Sequence, residues 1–340
     1  MIRNRAEPMV ITQPPSAALP RALYLTSADA LNHHYVAFQR CLFGRVPVAR
    51  WDHTRSFESQ LQGILVVVDE GGAHGTRAMI DASLAAGVKL WHVTTNGLDH
   101  VDVAYFREKG MPLAHAAGPQ SAVALAEHAL AVILYFNKNL DRNRAQRWPA
   151  RIPNEELAGK TLGVIGLGAS GLELARRAVF LGMRVMAVDA LSISEEARLA
   201  VGVTWSGGPD QLSELAAAAD FLSLHLPLTA ATRQLISRAV LGVMKPTAVI
   251  INVSRGGLID ESALIEALQE GRLKGAGLDV YDPEPPAVDN PLLSMSNVVA
   301  TPHIAGATDE TFRRRVQAAA ENVIRVSEGL LPFDIVVIGR

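Results

Sequence analysis

Residues Thr161–Arg177 read TLGVIGLGASGLELARR, and this stretch decides the fold. Leu162–Ile165 is an apolar run with the length of a buried strand. Gly166, Gly168 and Gly171 follow at G-x-G-x-x-G spacing. Leu172, Leu174, Ala175 and Ala178 then form an apolar set at helical spacing. The glycines alone would indicate only a tight turn. Between a strand and a helix they form the fingerprint of dinucleotide binding. The first glycine permits the sharp turn, the second lets backbone approach a pyrophosphate, and the third lets helix and strand pack closely. The helix N-terminus then faces the phosphates with its partial positive charge.

Beyond the fingerprint, Met183–Val188 reads as the next strand and ends on Asp189, 18 residues past Gly171 (189 − 171). A carboxylate near this offset accepts hydrogen bonds from ribose hydroxyls. Its neighbour is Ala190, not arginine, so a 2′-phosphate would meet a like charge with no basic partner. The predicted cofactor is therefore NAD over NADP.

The chain has 340 residues, enough for two domains of ordinary size. Hydrophobic residues make up 49% and charged residues 19%, as in globular proteins with a substantial core. A net charge of −2 gives no reason to expect nucleic acid or an anionic membrane as partner. Cys41 is the only cysteine, which excludes an intramolecular disulfide and fits a reducing compartment. No secretory signal is legible at the N-terminus, so a cytoplasmic location is expected. The apolar segment Ala122–Phe136 carries Glu127 and His128 and is too short to span a bilayer.

Residues 1–20, rich in proline and small residues, are expected to form a flexible tail. Short apolar runs follow at Ala22–Thr26, Val46–Trp51, Gly63–Val68, Lys89–Thr94 and Met111–Ala114, with helical patterning at Thr76–Ala86 and Val101–Lys109. This alternation predicts a parallel sheet covered on both faces and a small α/β domain ending near Gly118. Ser121–Asn139 is apolar around almost its whole circumference, which predicts burial between domains or in a subunit interface. The segment Asn139–Glu156, with Arg142, Arg144, Arg147, Trp148 and Arg151, reads as a surface crossing. After the fingerprint come strand candidates at Phe221–Leu226, Ala248–Val253, Gly275–Val280 and Asn297–Ala300, a second doubly wound unit. Its sheet is complete before the helix Asp309–Gly329. That helix is therefore expected to return to the first domain and make it discontinuous.

Three polar segments sit at C-terminal strand ends, where doubly wound sheets bind ligands. They are Asn252-Val-Ser-Arg-Gly-Gly257, Asp279-Val-Tyr-Asp-Pro-Glu-Pro-Pro286 and Thr301-Pro-His-Ile-Ala-Gly306. Arg255 can grip a carboxylate with a bidentate fork. His303 can move a proton near neutral pH. Glu284 beside it would favour the imidazolium. Taken singly, each also suits a plainer role: a surface ion pair, a loop carboxylate, a helix-entry residue. On one rim beside a dinucleotide, they make up what hydride transfer to a 2-oxo acid requires.

These segments, with NGLDHVDV (96–103), ALAEHALAVIL (124–134) and SLHLPLTAATRQLI (223–236), resemble the D-isomer-specific 2-hydroxyacid dehydrogenases. The likeness runs in family order from about residue 60 to the C-terminal helix. It implies an α/β fold of two doubly wound domains: a Rossmann NAD-binding domain, residues 119–306, inserted into a discontinuous flavodoxin-like substrate domain, residues 21–118 and 307–340. By resemblance, Arg255 orients substrate, Glu284 pairs with the catalytic histidine, and His303 is the acid/base. Asp189 would hold the adenosine ribose. Gly166, Gly168, Ala169, Ser170 and Gly171 would cradle the pyrophosphate. Pro227 and Thr232 would lie alongside the cofactor, Val253 and Ser254 near the nicotinamide, Asp279 near its amide, and His303 and Gly306 beside it. Backbone at Gly71, Gly72, Asn96 and Gly97 would hold the substrate carboxylate. No residue set has the spacing of a metal site. His128 reads as an interface hydrogen-bonding residue and the other histidines as packing or surface residues.

One departure from the family concerns the substrate. Where many relatives carry a basic or hydroxyl residue, this chain reads Asp69-Glu70-Gly71-Gly72. Two acids pointing into the pocket would disfavour a strongly anionic tail such as a phosphate, unless Arg77 or the Arg142–Arg151 cluster compensates. The C-terminal regulatory domain of some phosphoglycerate dehydrogenases is also not expected. The predicted partners are a small 2-hydroxy or 2-oxo acid and a second copy of the chain, in a homodimer. An NAD(H)-sensing corepressor-like protein on the same scaffold is the alternative from another class. A formate or phosphite dehydrogenase is the alternative substrate reading, and Glu284 beside His303 argues against the formate branch.

Overall fold

A computed structural model of the chain describes residues 21–26, 32–72, 74–140, 143, 152–191 and 195–338. The expectations for residues 1–20 and for Arg142, Arg144, Arg147, Trp148 and Arg151 lie outside them. The chain divides into two compact units, one taking in residues up to Ala117 and from Arg313 onward, the other Gly118–Phe312.

In the first unit, β1 (Ala22–Leu25), β2 (Val48–Arg50), β3 (Val66–Asp69), β4 (Leu90–Val93), β5 (Leu113–His115) and β13 (Ile335–Val337) form one sheet in the order β13-β5-β4-β3-β1-β2. All neighbours are parallel except β13, which runs antiparallel to β5. Strands β1, β3 and β4 are buried along their whole length, as expected of a sheet covered on both faces. Two helices of this unit start on short polar caps. Thr76 accepts from Met79 N–H ahead of α2 (Arg77–Ala85), and Asp102 accepts from Tyr105 N–H ahead of α3 (Val103–Lys109). A further helix, α1 (Asn32–Cys41), has low hydrophobicity and is not among the elements expected from apolar patterning.

The second unit holds β6 (Thr161–Ile165), β7 (Arg184–Val188), β8 (Val203–Gly207), β9 (Phe221–Leu224), β10 (Val249–Asn252), β11 (Gly275–Leu278) and β12 (Val298–Ala300) in one parallel sheet. The order is β12-β11-β10-β9-β6-β7-β8, so the winding reverses between β6 and β9. That reversal is the switch point at which doubly wound sheets open a crevice. Helix α4 (Ala122–Asn137) buries eight of its 16 residues, while Glu127 and Ala131 stay exposed, and its cover comes from its own unit. Ala126, Ala129 and Ile133 share a core with Leu162 and Val164 of β6 and with Leu174 and Ala175 of α5 (Ala169–Phe180). Gly277 of β11 allows the close seating, because a Cβ there would collide with Val132.

Helix α6 (Asp309–Ser327) runs into the first unit. There the Asn322 amide donates to the Phe333 carbonyl, accepts from Phe333 N–H, and lies 3.1 Å from His92 Nδ1. His92 is fully buried, and burial pushes its pKa down to about 3, so it is a neutral packing residue. Among the described residues, no helix is long and apolar enough to cross a membrane.

Candidate active site

The fingerprint turn forms as its spacing requires. Gly166 takes φ +93°, and a Cβ there would lie 2.7 Å from the His225 carbonyl oxygen. A Cβ at Gly171 would penetrate the Gly166 carbonyl. Gly168 differs: a Cβ there would meet nothing within 4 Å. No side chain caps the start of α5, and its first turn carries no acid. The start of α5 is thus open beside Gly168, a shape suited to a pyrophosphate at a helix N-terminus.

Asp189 closes the same turn. Its Oδ2 accepts from Leu167 N–H at 2.7 Å and its Oδ1 from Leu191 N–H at 2.8 Å. Each oxygen keeps a second lone pair, so the carboxylate can still accept from ribose hydroxyls. Ser170 Oγ lies 3.0 Å from His225 Nδ1, whose ring is buried and reaches Ser223 Oγ through Nε2 at 3.0 Å. Burial lowers the His225 pKa to about 4. A neutral ring therefore sits behind the phosphate loop, a link no sequence pattern announces. Thr232 folds its hydroxyl back onto the Pro227 carbonyl at 2.8 Å and fixes the turn that holds both residues. These features fit a dinucleotide. Among the described residues, no group of three or more His, Cys, Asp or Glu is placed to hold a metal ion.

The candidate catalytic residues stand on the loops after β10, β11 and β12. His303 Nδ1 is 2.8 Å from Glu284 Oε2, and Glu284 Oε1 accepts from Tyr281 N–H at 2.8 Å. The carboxylate is thereby fixed by backbone before it meets the imidazole. With Nδ1 on Glu284, Nε2 is the nitrogen able to offer a proton outward. His303 has φ +54°, an uncommon backbone for a non-glycine residue. Asp279 holds it there. Asp279 is buried, and its Oδ1 accepts from Ile304 N–H at 2.8 Å and from the Thr301 hydroxyl at 2.6 Å. Its Oδ2 accepts from Ala305 N–H at 2.7 Å, and its carbonyl from His303 N–H at 2.8 Å. His128 Nε2 lies 3.3 Å from Thr301 Oγ1, so its contact is with the His303 loop of its own unit. Gly306 follows, its carbonyl accepting from Thr308 N–H.

Arg255 enters from the end of β10. Asn252 Nδ2 donates to the Arg255 carbonyl at 2.8 Å, and Ser254 Oγ donates to the Leu224 carbonyl at 2.8 Å. Val253 is buried beneath them. Gly256 lies against the Tyr281 backbone so closely that a Cβ would overlap it. The arginine loop and the Glu284 loop are therefore packed against each other, which fixes Arg255 on the rim that carries Glu284 and His303.

The remaining candidate residues lie in the first unit. Gly71 and Gly72 follow β3 with φ +81° and +75°. Gly71 N–H donates to Thr94 Oγ1 at 3.2 Å, and the Gly71 carbonyl lies 2.8 Å from His100 Nε2. The Asn96 carbonyl lies 2.9 Å from His115 Nδ1, and the Gly97 carbonyl accepts from Thr95 Oγ1. The two acids beside Gly71 do not both face a pocket. Asp69 is fully buried and accepts from Trp91 Nε1–H at 3.3 Å. Glu70 is paired with His34. Arg77 does not compensate for them, because it is committed to Asp102 at 2.8 Å. The expected rejection of an anionic tail by Asp69 therefore does not follow from its position.

Comparison with known proteins points the same way. Residues 126–305 match the family model described as D-isomer specific 2-hydroxyacid dehydrogenase, NAD binding domain. The chain is 37% identical over 298 residues to the D-3-phosphoglycerate dehydrogenase of Methanocaldococcus jannaschii, covering 86% of this chain and 55% of that protein. It is 40% identical over 225 residues to the hydroxypyruvate reductase of Thermotoga maritima, covering 64% of this chain and 71% of that protein. The chain thus spans about half the length of the phosphoglycerate dehydrogenases it matches. The D-lactate dehydrogenase of Aquifex aeolicus, solved with NAD and lactic acid, superposes with a TM-score of 0.77 at 27% identity, over 94% of this chain and 100% of that one. On a family match that takes in more than half of its residues, the chain belongs to the D-isomer-specific 2-hydroxyacid dehydrogenase family.

Proposed function

We propose that the protein is an NAD(H)-dependent oxidoreductase that interconverts a D-2-hydroxy acid and its 2-oxo acid. The observation that carries this reading is the His303–Glu284 pair, 2.8 Å apart, with Glu284 itself held by Tyr281 N–H. In the reductive direction, bound NADH supplies the hydride that C2 of the substrate accepts. Protonated His303 delivers a proton from Nε2 to the carbonyl oxygen as that oxygen gains charge. Glu284 keeps the ring oriented and offsets the positive charge of the imidazolium. Arg255 grips the substrate carboxylate with its guanidinium fork. In the first unit, backbone at Gly71, Gly72, Asn96 and Gly97 is assigned to carboxylate binding.

The test is NADH oxidation with glyoxylate, hydroxypyruvate, pyruvate, phenylpyruvate and phosphohydroxypyruvate, each run also with NADPH. Turnover of at least one acid is expected, with kcat/KM for NADH at least about tenfold above that for NADPH, since Asp189 repels a 2′-phosphate. No turnover across the panel would defeat the enzymatic reading. A higher kcat/KM with NADPH would defeat the role given to Asp189. The proposal includes a homodimer. Phe180 is 91% exposed at the end of α5 and lies beside Leu130 and Leu181, an apolar patch suited to a second copy. Light scattering at assay concentration should give twice the chain mass, and a monomeric mass excludes the dimer.

A further inference from the structure

Ser223 is a hydroxyl in a place suited to an aliphatic side chain. It stands in β9, every residue of which is buried, and none of its own surface is exposed. Its neighbours across the sheet are Val164 of β6 and Ile251 of β10, whose side chains cannot accept a hydrogen bond. Among the described residues, the one partner of its hydroxyl is the His225 ring, with Nε2 3.0 Å from Oγ. A serine hydroxyl carries one proton, and burying that proton without an acceptor is costly. Nε2 is therefore the acceptor.

That choice sets the rest of the ring. Burial keeps the imidazole neutral, so it holds a single N–H. With Nε2 accepting, the proton sits on Nδ1. Nδ1 lies 3.0 Å from Ser170 Oγ, which then accepts. The backbone of His225 is tied to the same turn, because its N–H donates to the Ile165 carbonyl at 2.8 Å. Ser170 belongs to the first turn of α5 and is half-buried rather than enclosed. Its hydroxyl proton is left for whatever occupies the start of that helix.

We propose that Ser223 and His225 are positioning residues for the cofactor: Ser223 Oγ–H donates to His225 Nε2, His225 Nδ1–H donates to Ser170 Oγ, and this relay reserves the Ser170 hydroxyl proton for a pyrophosphate oxygen of NAD. The ligand half rests on reading the start of α5 as the cofactor site, and the direction of the relay does not. Run the other way, the relay would have Ser170 give its proton to Nδ1 and present only lone pairs to a phosphate. The Ser223 proton would then be buried without an acceptor. A donor to an anionic oxygen is stronger than one to a neutral group, so the orientation matters most with the ligand bound. Ser223, inside the sheet, acts on the ligand only through the ring.

Nitrogen NMR of isotope-labelled histidine, on the wild-type chain without cofactor, reads the relay directly. His225, identified by the signal lost in His225→Asn, should show a protonated Nδ1 and an unprotonated Nε2. A protonated Nε2 overturns the proposal. Calorimetry with NADH tests the ligand half. Kd should rise about tenfold in Ser170→Ala, which loses one charge-assisted donor. It should rise about threefold in Ser223→Ala, where the ring can move its proton to Nε2 and take up the Ser170 hydroxyl. The double variant should bind no more weakly than Ser170→Ala, because without that hydroxyl the relay has nothing to direct. Unchanged Kd in either single variant overturns the proposal. So do losses that add in the double variant, which is what a merely structural Ser223 would give. Ser170→Ala keeps a good helix former at a half-buried position, so it and the wild-type spectrum decide even if the β9 variant folds poorly. A wild-type chain with Nδ1 protonated that binds no NADH upholds the relay and places the failure in the cofactor site.

Discussion

His303→Ala is expected to lower kcat by about 10³-fold while NADH affinity stays within about twofold, because general acid catalysis typically contributes 10²–10⁴-fold. The separation follows from what each part of the site holds. The proposed proton donor is one imidazole nitrogen. The proposed cofactor cradle is backbone at the start of α5 together with Asp189, on other strands. Removing the ring leaves the His303 loop supported, since Asp279 binds the 303, 304 and 305 N–H groups rather than the imidazole. Alanine at φ +54° adds backbone strain of its own, on the order of 1 kcal/mol. His303→Asn controls for this, because asparagine tolerates that region far better. Both variants should lose kcat alike. Equal kcat in either variant and wild type would remove His303 from the chemistry. Loss in alanine alone would make the effect one of strain.

Much of this site is legible in the sequence, and the reason is physical. The G-x-G-x-x-G turn, the strand before it and the helix after it constrain one another within 17 residues. The loops of Arg255, Glu284 and His303 each follow a short apolar run, so their placement at strand ends needs no long-range knowledge. What the sequence leaves hidden depends on neighbours far along the chain. Val203–Gly207 is an edge strand whose buried and exposed positions alternate, so it has no apolar run to find. Ile335–Val337 has only three residues and adds antiparallel to β5, more than 200 positions earlier. Asp69 is hardest to place. Every residue of Val66–Asp69 is buried, so the two-residue period that normally separates the faces of a strand carries no information. A charged residue at such a strand end reads as solvent-facing until the Trp91 indole is seen against it. The same holds for Arg77, whose partner Asp102 lies 25 residues away.

The glycines of the fingerprint should separate on substitution, and their separation tests the cofactor cradle more sharply than activity does. Gly171→Ala places a methyl group into the Gly166 carbonyl, which is backbone and cannot swing aside. Helix α5 must then lift from β6, spoiling the packing of Leu174 and Ala175 on the sheet. Overpacking of this kind costs about 3 kcal/mol, or roughly 6–12 °C of melting temperature for a unit of this size. NADH binding should be lost with it. Gly168→Ala meets no atom within 4 Å and sits at φ −68°, which alanine adopts freely. The free chain should melt within about 2 °C of wild type, because a compatible Gly→Ala change also restricts the unfolded chain. The methyl group would nevertheless occupy the space that a pyrophosphate needs beside the Ala169 and Ser170 N–H groups. NADH affinity should therefore fall about 100-fold at unchanged stability, the pattern of a position kept small for a ligand. Isothermal titration and thermal melts of both variants decide it. Wild-type NADH affinity in Gly168→Ala would mean that the open space at the start of α5 is not the cofactor's. Wild-type stability in Gly171→Ala would mean that the third glycine does not set the approach of helix to strand.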